Sequence, residues 1–332
     1  MITSSDKIRI LEAITPSKIG GAEVFVVDVC AKLPALGVDI QLFCPAGRPF
    51  AHYAEERGIS AITRKTHGKL DPATLTALTR LIRREKIDVI HTHLSTASLL
   101  GALAARLARV PSLAHVHGLN SATCYRYSTR IAAVSASVKD HLCSQGIDEK
   151  KIEVLANGVD MRRFSPQCAE SAKASLGYDS QTPLFGVFGR LSPEKGQRNA
   201  LQALSLLRRR HPDAQLIMAG DGPEMNDLKK MASELGVVEN VRFAGFQKDV
   251  APLMRACDAI IVPSLREGFS LAAVEAMALG KVVVASSVGG LREVVAAGET
   301  GYLVPAADPP AIARALEELI QDKTLAGKLG AA

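Results

Sequence analysis

Two cations five residues apart carry the first chemical signal. In Gly189-Arg190-Leu191-Ser192-Pro193-Glu194-Lys195-Gly196, Arg190 and Lys195 lie between a predicted strand and a predicted helix. Beside the N–H groups of a helix N-terminus, such a pair grips a diphosphate, two positive charges offsetting about two negative ones. Taken alone, the segment fits a plain strand-to-helix turn with solvated cations as well. A second signal is Glu267-Gly268-Phe269-Ser270-Leu271-Ala272-Ala273-Val274-Glu275, with Glu267 on a loop and Glu275 inside the next helix among apolar residues. A carboxylate so placed accepts hydrogen bonds from two adjacent hydroxyls, as on a ribose or a hexose. The N–H groups of Ser270 and Leu271 open that helix and favour an anion. Each glutamate alone fits a cap or a surface carboxylate equally.

Gly20-Gly21, after the first predicted strand, lets backbone come close to a ligand. It lacks the G-x-G-x-x-G spacing, and no acidic residue closes the second strand, which argues against a nicotinamide-type dinucleotide site. Gly220-Asp221-Gly222-Pro223 ends another strand and reads as a binding loop or a simple turn. Four of the eight histidines, His91, His93, His115 and His117, gather around two strand ends. His91 and His93 have a spacing that a metal uses, but no carboxylate or cysteine stands at a telling distance. No Asp-x-Asp pair occurs either, so no metal ion is expected. His91, His93 and His115 are expected to be structural. His117, followed by Gly118 where a strand meets a loop, is the catalytic candidate of the four. There is no P-loop and no G-x-S-x-G elbow.

The elements that position these residues alternate between short apolar runs and helical patterns, which predicts βα units around parallel sheets. Strands are predicted over 7–13, 38–43, 59–63, 88–91, 112–116, 130–134 and 152–155, with helices over 23–36, 71–85, 97–108 and 137–145. After a stretch with weak periodicity, 157–182, the rhythm restarts. Strands follow over 184–188, 215–219, 241–243, 259–262, 282–285 and 301–303. Helices follow over 197–209, 224–235, 250–256, 270–279, 291–297 and 310–321. The length agrees, since 332 residues correspond to roughly two domains. With 47% apolar residues, 4% aromatics and no Trp, the cores are aliphatic, as buried parallel strands require. The reading is an α/β chain of two Rossmann-like, doubly wound domains facing across a cleft, residues 1–165 and 166–332.

The net charge of +6 is uneven. Up to Arg163 there are 22 Lys+Arg against 15 Asp+Glu, and beyond it 18 against 19, so +7 and −1. The basic half is either a solvated face or meets something anionic, such as a membrane surface or a phosphorylated acceptor. A nucleic-acid partner is not expected, because no motif or aromatic interleaving supports one. Cys30, Cys44, Cys124, Cys143, Cys168 and Cys257 are scattered and read as free thiols of a cytoplasmic protein. No run approaches a membrane span, so attachment to the inner face of a membrane would be peripheral.

Together these segments resemble the retaining glycosyltransferases of family 4, which have the GT-B fold. The carriers are Gly20-Gly21, His115-Val116-His117-Gly118, Ile131-Ala132-Ala133-Val134-Ser135 and Asn157-Gly158-Val159-Asp160 with Phe164. The Gly189–Gly196 and Gly220 segments, Val241-Arg242-Phe243-Ala244-Gly245, Pro263-Ser264, the Glu267/Glu275 pair, Ala276-Met277-Ala278-Leu279-Gly280 and Gly289-Gly290 complete them. The resemblance implies transfer of a sugar from a nucleoside-diphosphate sugar to a glycan or lipid-linked acceptor, with no metal and no cofactor. It assigns Arg190 and Lys195 to the donor diphosphate, Glu275 to the ribose and Glu267 to the donor sugar. Phe269, Ser270 and Leu271 would lie by sugar and phosphate, the Gly220 and Phe246 loops by the base, and Gly21 near the phosphates. His117 would hydrogen-bond the donor sugar or support transfer. Retention implies attack from the leaving-group side, the departing phosphate helping to deprotonate the acceptor.

Two features depart from the family's pattern. Only 11 residues separate Gly118 from Arg130, where relatives carry a longer segment that shapes the acceptor site. The sequence also stops soon after the helix 310–321, where relatives continue with a helix that crosses back to the first domain. Both departures fall on the acceptor side. The alternatives are a GT-B sugar-nucleotide epimerase, active without acceptor, and a non-catalytic two-lobed binding protein. The donor base and sugar, the acceptor, the linkage and the oligomeric state are not legible.

Overall fold

The structure, a computed structural model, describes residues 7–164 and 169–332. Cys168 and the expected boundary at 165/166 lie outside the described residues. The chain forms two compact units that divide between Asn157 and Gly158.

The first unit holds seven strands, β1 (Arg9–Ile14), β2 (Asp39–Pro45), β3 (Ala61–Arg64), β4 (Val89–His93), β5 (Ser112–Val116), β6 (Arg130–Ala133) and β7 (Ile152–Val154). They pair in the order β3-β2-β1-β4-β5-β6-β7, every pairing parallel. The second unit holds β8 (Leu184–Phe188), β9 (Gln215–Ala219), β10 (Val241–Gly245), β11 (Ala259–Val262), β12 (Val282–Ser286) and β13 (Gly301–Val304). Their order is β10-β9-β8-β11-β12-β13, again parallel throughout. Each order reverses once, between β1 and β4 and between β8 and β11. Ligands of such sheets bind at the carboxyl ends of the strands flanking that reversal.

Every predicted strand is present, because fully buried parallel strands write themselves as apolar runs. In β12, Val282 and Val284 enter one core while Val283 and Ala285 enter the core on the other face. At about 1.5–3 kcal/mol per buried aliphatic side chain, this two-sided burial fixes the register. In β1 the alternation carries one exception. Leu11 and Ala13 face one core and Ile14 the other, but Glu12, on the Ile14 side, is a carboxylate with no exposure at all.

From Gly158 onward, the described residues of the stretch 157–182, expected as an interdomain connection, belong to the second unit. Phe164 is 1% exposed and sits in a core with Leu184 and Phe188. Within the helix Ala169–Ser175, Lys173 places Nζ 2.8 Å from each carboxylate oxygen of Asp258 and from the Thr182 carbonyl. Asp258 in turn accepts from the Leu184 N–H at 2.8 Å, so this ion pair joins the helix to the end of β8. Further helices that the pattern did not predict are Pro49–Glu55 and Lys323–Ala331. The helix expected over 23–36 is α-helical only over Gly21–Lys32 and tightens to a 3₁₀ turn over Leu33–Leu36, where Pro34 cannot donate. The helix expected over 291–297 ends at Val294.

Cys30, Cys44, Cys124, Cys143 and Cys257 are free thiols, as expected. Among the described residues no helix is long and apolar enough to cross a membrane.

Candidate functional site

In the second unit, parallel pairing brings the strand ends to one edge, and the motif loops line up along it in strand order. Phe246 follows β10, Gly220 follows β9, Arg190 and Lys195 follow β8, and Glu267, Phe269 and Ser270 follow β11. These loops are tied backbone to backbone. Gly189 N–H donates to Ala219 O at 2.9 Å, Leu191 N–H to Asp221 O at 3.0 Å, and Gly220 N–H to Gly245 O at 2.8 Å. A Cβ at Gly220 would stand 1.8 Å from the Gly189 carbonyl oxygen, and its φ of +148° disfavours any side chain. Glycine is therefore required where the β8 and β9 loops meet. Leu265 N–H donates to Glu194 O at 2.8 Å and Gly290 N–H to Glu267 O at 3.2 Å, joining the loops after β8, β11 and β12.

On this edge Arg190 is exposed. Its carbonyl accepts from the side-chain amide of Gln197 at 2.7 Å, and Gln197 is 1% exposed. Gln197 thus fixes the backbone of the arginine loop, a role that its type and position at a helix start did not announce. Lys195 and Glu267, read from separate motifs, are one pair. Lys195 Nζ donates to Glu267 Oε2 at 2.6 Å, and the Ser264 hydroxyl donates to the same oxygen at 3.0 Å. Glu267 is buried, so its charge is compensated by Lys195 inside the site. Ser270 caps the helix Leu271–Ala278 through a bond from Ala273 N–H to its hydroxyl, 3.3 Å. Leu271 is the first residue of that helix, Glu275 lies half-buried one turn further on, and Phe269 is half-buried before the cap. Phe246 is 51% exposed, an aromatic surface at the β10 end of the row.

Gly21 and His117, the two remaining site candidates, belong to the first unit. Gly21 opens the helix Gly21–Lys32, where Glu23 Oε2 accepts from Gly20 N–H at 2.9 Å in a capping arrangement. One turn along, the Phe25 ring packs edge-on against His115 and His117, with centroids 4.8 and 5.4 Å away. That helix therefore covers the sheet face carrying the four histidines. Glu12 lies on the same face, and sequence reasoning gave it no role. Its two oxygens take different histidines, Oε1 from His91 Nδ1 at 2.8 Å and Oε2 from His93 Nε2 at 2.7 Å. The missing partner carboxylate thus stands about 80 residues upstream, beside His91 in the sheet register. His93 Nδ1 lies 3.0 Å from His117 Nε2, extending the chain to the catalytic candidate.

Burial alone would raise the Glu12 carboxyl, but the charge and hydrogen bonds of His91 and the bonds from His93 outweigh it and lower it to about 2. Burial is the main cause lowering His93 to about 4 and His115 to about 2, with neighbouring histidines adding to it. His117 is held well below the ordinary histidine value for the same reasons. The cluster is thus a buried anion beside three imidazoles, His93, His115 and His117, whose burial disfavours their charged forms. One nitrogen from each of His91, His93 and His115 lies within 4.8 Å of the others. His115 is within 28–29° of parallel to both His91 and His93. A metal held there would have to displace Glu12 or His117 from His93.

Comparison with known proteins agrees with both halves. The family described as "Glycosyl transferases group 1" matches residues 169–332, and "Glycosyltransferase Family 4" matches residues 19–163. The chain is 32% identical to the D-inositol 3-phosphate glycosyltransferase of Frankia alni, over 94% of this chain and 88% of that protein. It is 28% identical to the UDP-Gal:alpha-D-GlcNAc-diphosphoundecaprenol alpha-1,3-galactosyltransferase of Escherichia coli, over 98% and 91%. Among solved structures, Anabaena HepE in complex with UDP-glucose is similar with a TM-score of 0.86 and 26% identity, over 97% of this chain and 92% of that one.

Proposed function

Because the chain belongs to the family 4, group 1 glycosyltransferases and has their GT-B architecture of two parallel-sheet α/β domains, we propose that it transfers a hexose from a nucleoside-diphosphate sugar to a hydroxyl of a glycan or lipid-linked acceptor, with retention of configuration and without a metal. The observation that carries this reading is the row of loops on the second sheet. It sets a cation pair, a helix N-terminus and two carboxylates along one edge at the strand-order reversal. Anabaena HepE binds UDP and UDP-glucose, and the Escherichia coli relative is named for UDP-Gal. A uridine-diphosphate sugar is therefore the first donor to test.

In this mechanism Arg190 and Lys195 bind the diphosphate, and Glu275 accepts hydrogen bonds from the ribose hydroxyls. Phe246 and the Gly220 loop border the base, and the N–H groups around Phe269, Ser270 and Leu271 meet sugar and phosphate. The bond from the anomeric carbon to phosphate breaks as the acceptor oxygen bonds to the same face, and the acceptor proton passes to the departing phosphate. Charge builds on the diphosphate during that departure, and two fixed cations stabilise it without a metal. Before the donor binds, Lys195 is neutralised by Glu267. The diphosphate competes for that ammonium and frees Glu267 to accept from a sugar hydroxyl. The basic first unit would set the acceptor side against an anionic membrane surface on the cytoplasmic face.

The test is release of UDP, GDP or ADP from a donor panel, with and without lipid-linked and glycan acceptors, in the presence of a chelator. Acceptor-dependent release from one donor, abolished or strongly reduced by Glu275→Ala, is the expected result. No binding or turnover of any sugar nucleotide, or an unaffected Glu275→Ala variant, overturns the reading.

A further inference from the structure

The first unit buries a carboxylate at a cost of several kcal/mol unless its hydrogen bonds are complete, and the donor mechanism leaves that investment unexplained. An ionised carboxylate only accepts, so both histidine nitrogens facing Glu12 must carry hydrogen. His91 is then protonated on Nδ1 and His93 on Nε2. A neutral His93 protonated on Nε2 has a bare Nδ1, and His117 Nε2 lies 3.0 Å from it. Two nitrogens at that distance share one hydrogen, so His117 supplies it. The ring centroids of His93 and His117 are 5.3 Å apart with planes 25° from parallel, the separation of rings meeting edge to edge through those nitrogens. The opposite nitrogen, His117 Nδ1, is shielded from solvent and has no hydrogen-bond partner among the described residues.

We infer that Glu12 and His93 are positioning residues that hold His117 as a neutral imidazole protonated on Nε2, leaving Nδ1 as a hydrogen-bond acceptor. The single charge on Glu12 decides every proton position along the chain Glu12–His93–His117. The low pH range in which His93 and His117 titrate is consistent with this, since a protonated His93 would have no lone pair for His117. An acceptor without a partner in a shielded position costs about 1–3 kcal/mol. These proton positions follow from the hydrogen bonds and do not rest on the glycosyltransferase reading.

Long-range ¹⁵N–¹H correlation spectra of the free, full-length protein at pH 7.5 test it. Histidine-substituted variants assign the rings. The expected pattern is hydrogen on Nε2 for His93 and His117 and on Nδ1 for His91. Hydrogen on Nδ1 of His117, or two tautomers in exchange, overturns the inference. In Glu12→Gln the side-chain amide can also donate, so His93 and His117 should lose their single tautomer, and Glu12→Asp should restore it at least in part. Unchanged tautomers in a folded Glu12→Gln protein also overturn it. If that variant does not fold, the wild-type pattern still decides. With a donor established, Glu12→Gln should lower kcat/KM about tenfold, the loss of one hydrogen bond. The expected tautomers in a protein that turns over no sugar nucleotide would refute the enzymatic reading and leave the positioning intact.

Discussion

Acid should loosen the first unit through its histidines, well before carboxylates protonate. His93 and His115 are fully buried and titrate at about 4 and about 2, against 6.5 when unfolded. Between those values the unfolded chain binds protons that the folded chain refuses. Stability therefore rises with pH across this window and is lost as pH falls from 6.5. Integrated from pH 7 to pH 5, each histidine removes about 2 kcal/mol, so the two remove about 4 kcal/mol. His117 shifts in the same direction and adds to the loss. That is a large share of the roughly 5–15 kcal/mol that holds a domain folded. Glu12 contributes only later. Its stabilisation is complete above its unfolded value of 4.5 and disappears as pH falls through about 2. Amide hydrogen exchange in β4 and β5 at pH 7, 6 and 5, corrected for intrinsic rates, reads the opening energy of this unit directly. The expected outcome is a fall of several kcal/mol, made shallower by His115→Gln. Equal opening energies at pH 7 and pH 5, or an unaltered slope in His115→Gln, would refute the reasoning.

Removing the exposed Arg190 guanidinium by Arg190→Ala should lower donor turnover about a hundredfold without changing the melting temperature; unchanged turnover excludes it from the site. Lys195→Ala strips the buried Glu267 of its cation, so turnover and melting temperature should both fall, the latter by a few degrees; a stable, active variant would show that the pair is dispensable. Gly220→Ala forces a Cβ against the Gly189 carbonyl and should cost about 3 kcal/mol or more, read by urea unfolding of the second unit. Sedimentation with vesicles should show binding to anionic but not zwitterionic lipid, lost at high salt; equal sedimentation with both would remove charge as the cause.

The fold was legible because its strands are buried on two faces and its glycines punctuate their ends. What the sequence hid was hidden for local reasons. Gly327 and Gly330 dilute the helical pattern of Lys323–Ala331, yet a Cβ at Gly330 would stand 2.3 Å from the Gly280 carbonyl, so packing demands the residue that propensity disfavours. Pro49–Glu55 is two turns long, too short to establish a period. In the candidate site, Arg190, Lys195 and Glu267 were legible as types on strand-end loops. That Lys195 and Glu267 form a pair was not, because 72 residues separate them. Glu12 was the hardest. It occupies one position of an apolar strand, where alternation reads a carboxylate as solvent-facing, and its partners lie 79 and 81 residues away across a strand pairing.

The burial of Phe164 bears on how the molecule can be divided. Seven residues from Gly158 to Phe164 carry the second half's own anchor, with Val159 packed against the same core. A second half cut at residue 166 would leave that socket empty, a loss of about 3–5 kcal/mol by analogy with truncating a buried phenylalanine. An excised half intended to fold by itself, or a circular permutant opened at this junction, has to keep residues from 158 onward, and a proteolytic nick after Phe164 should leave its ring seated.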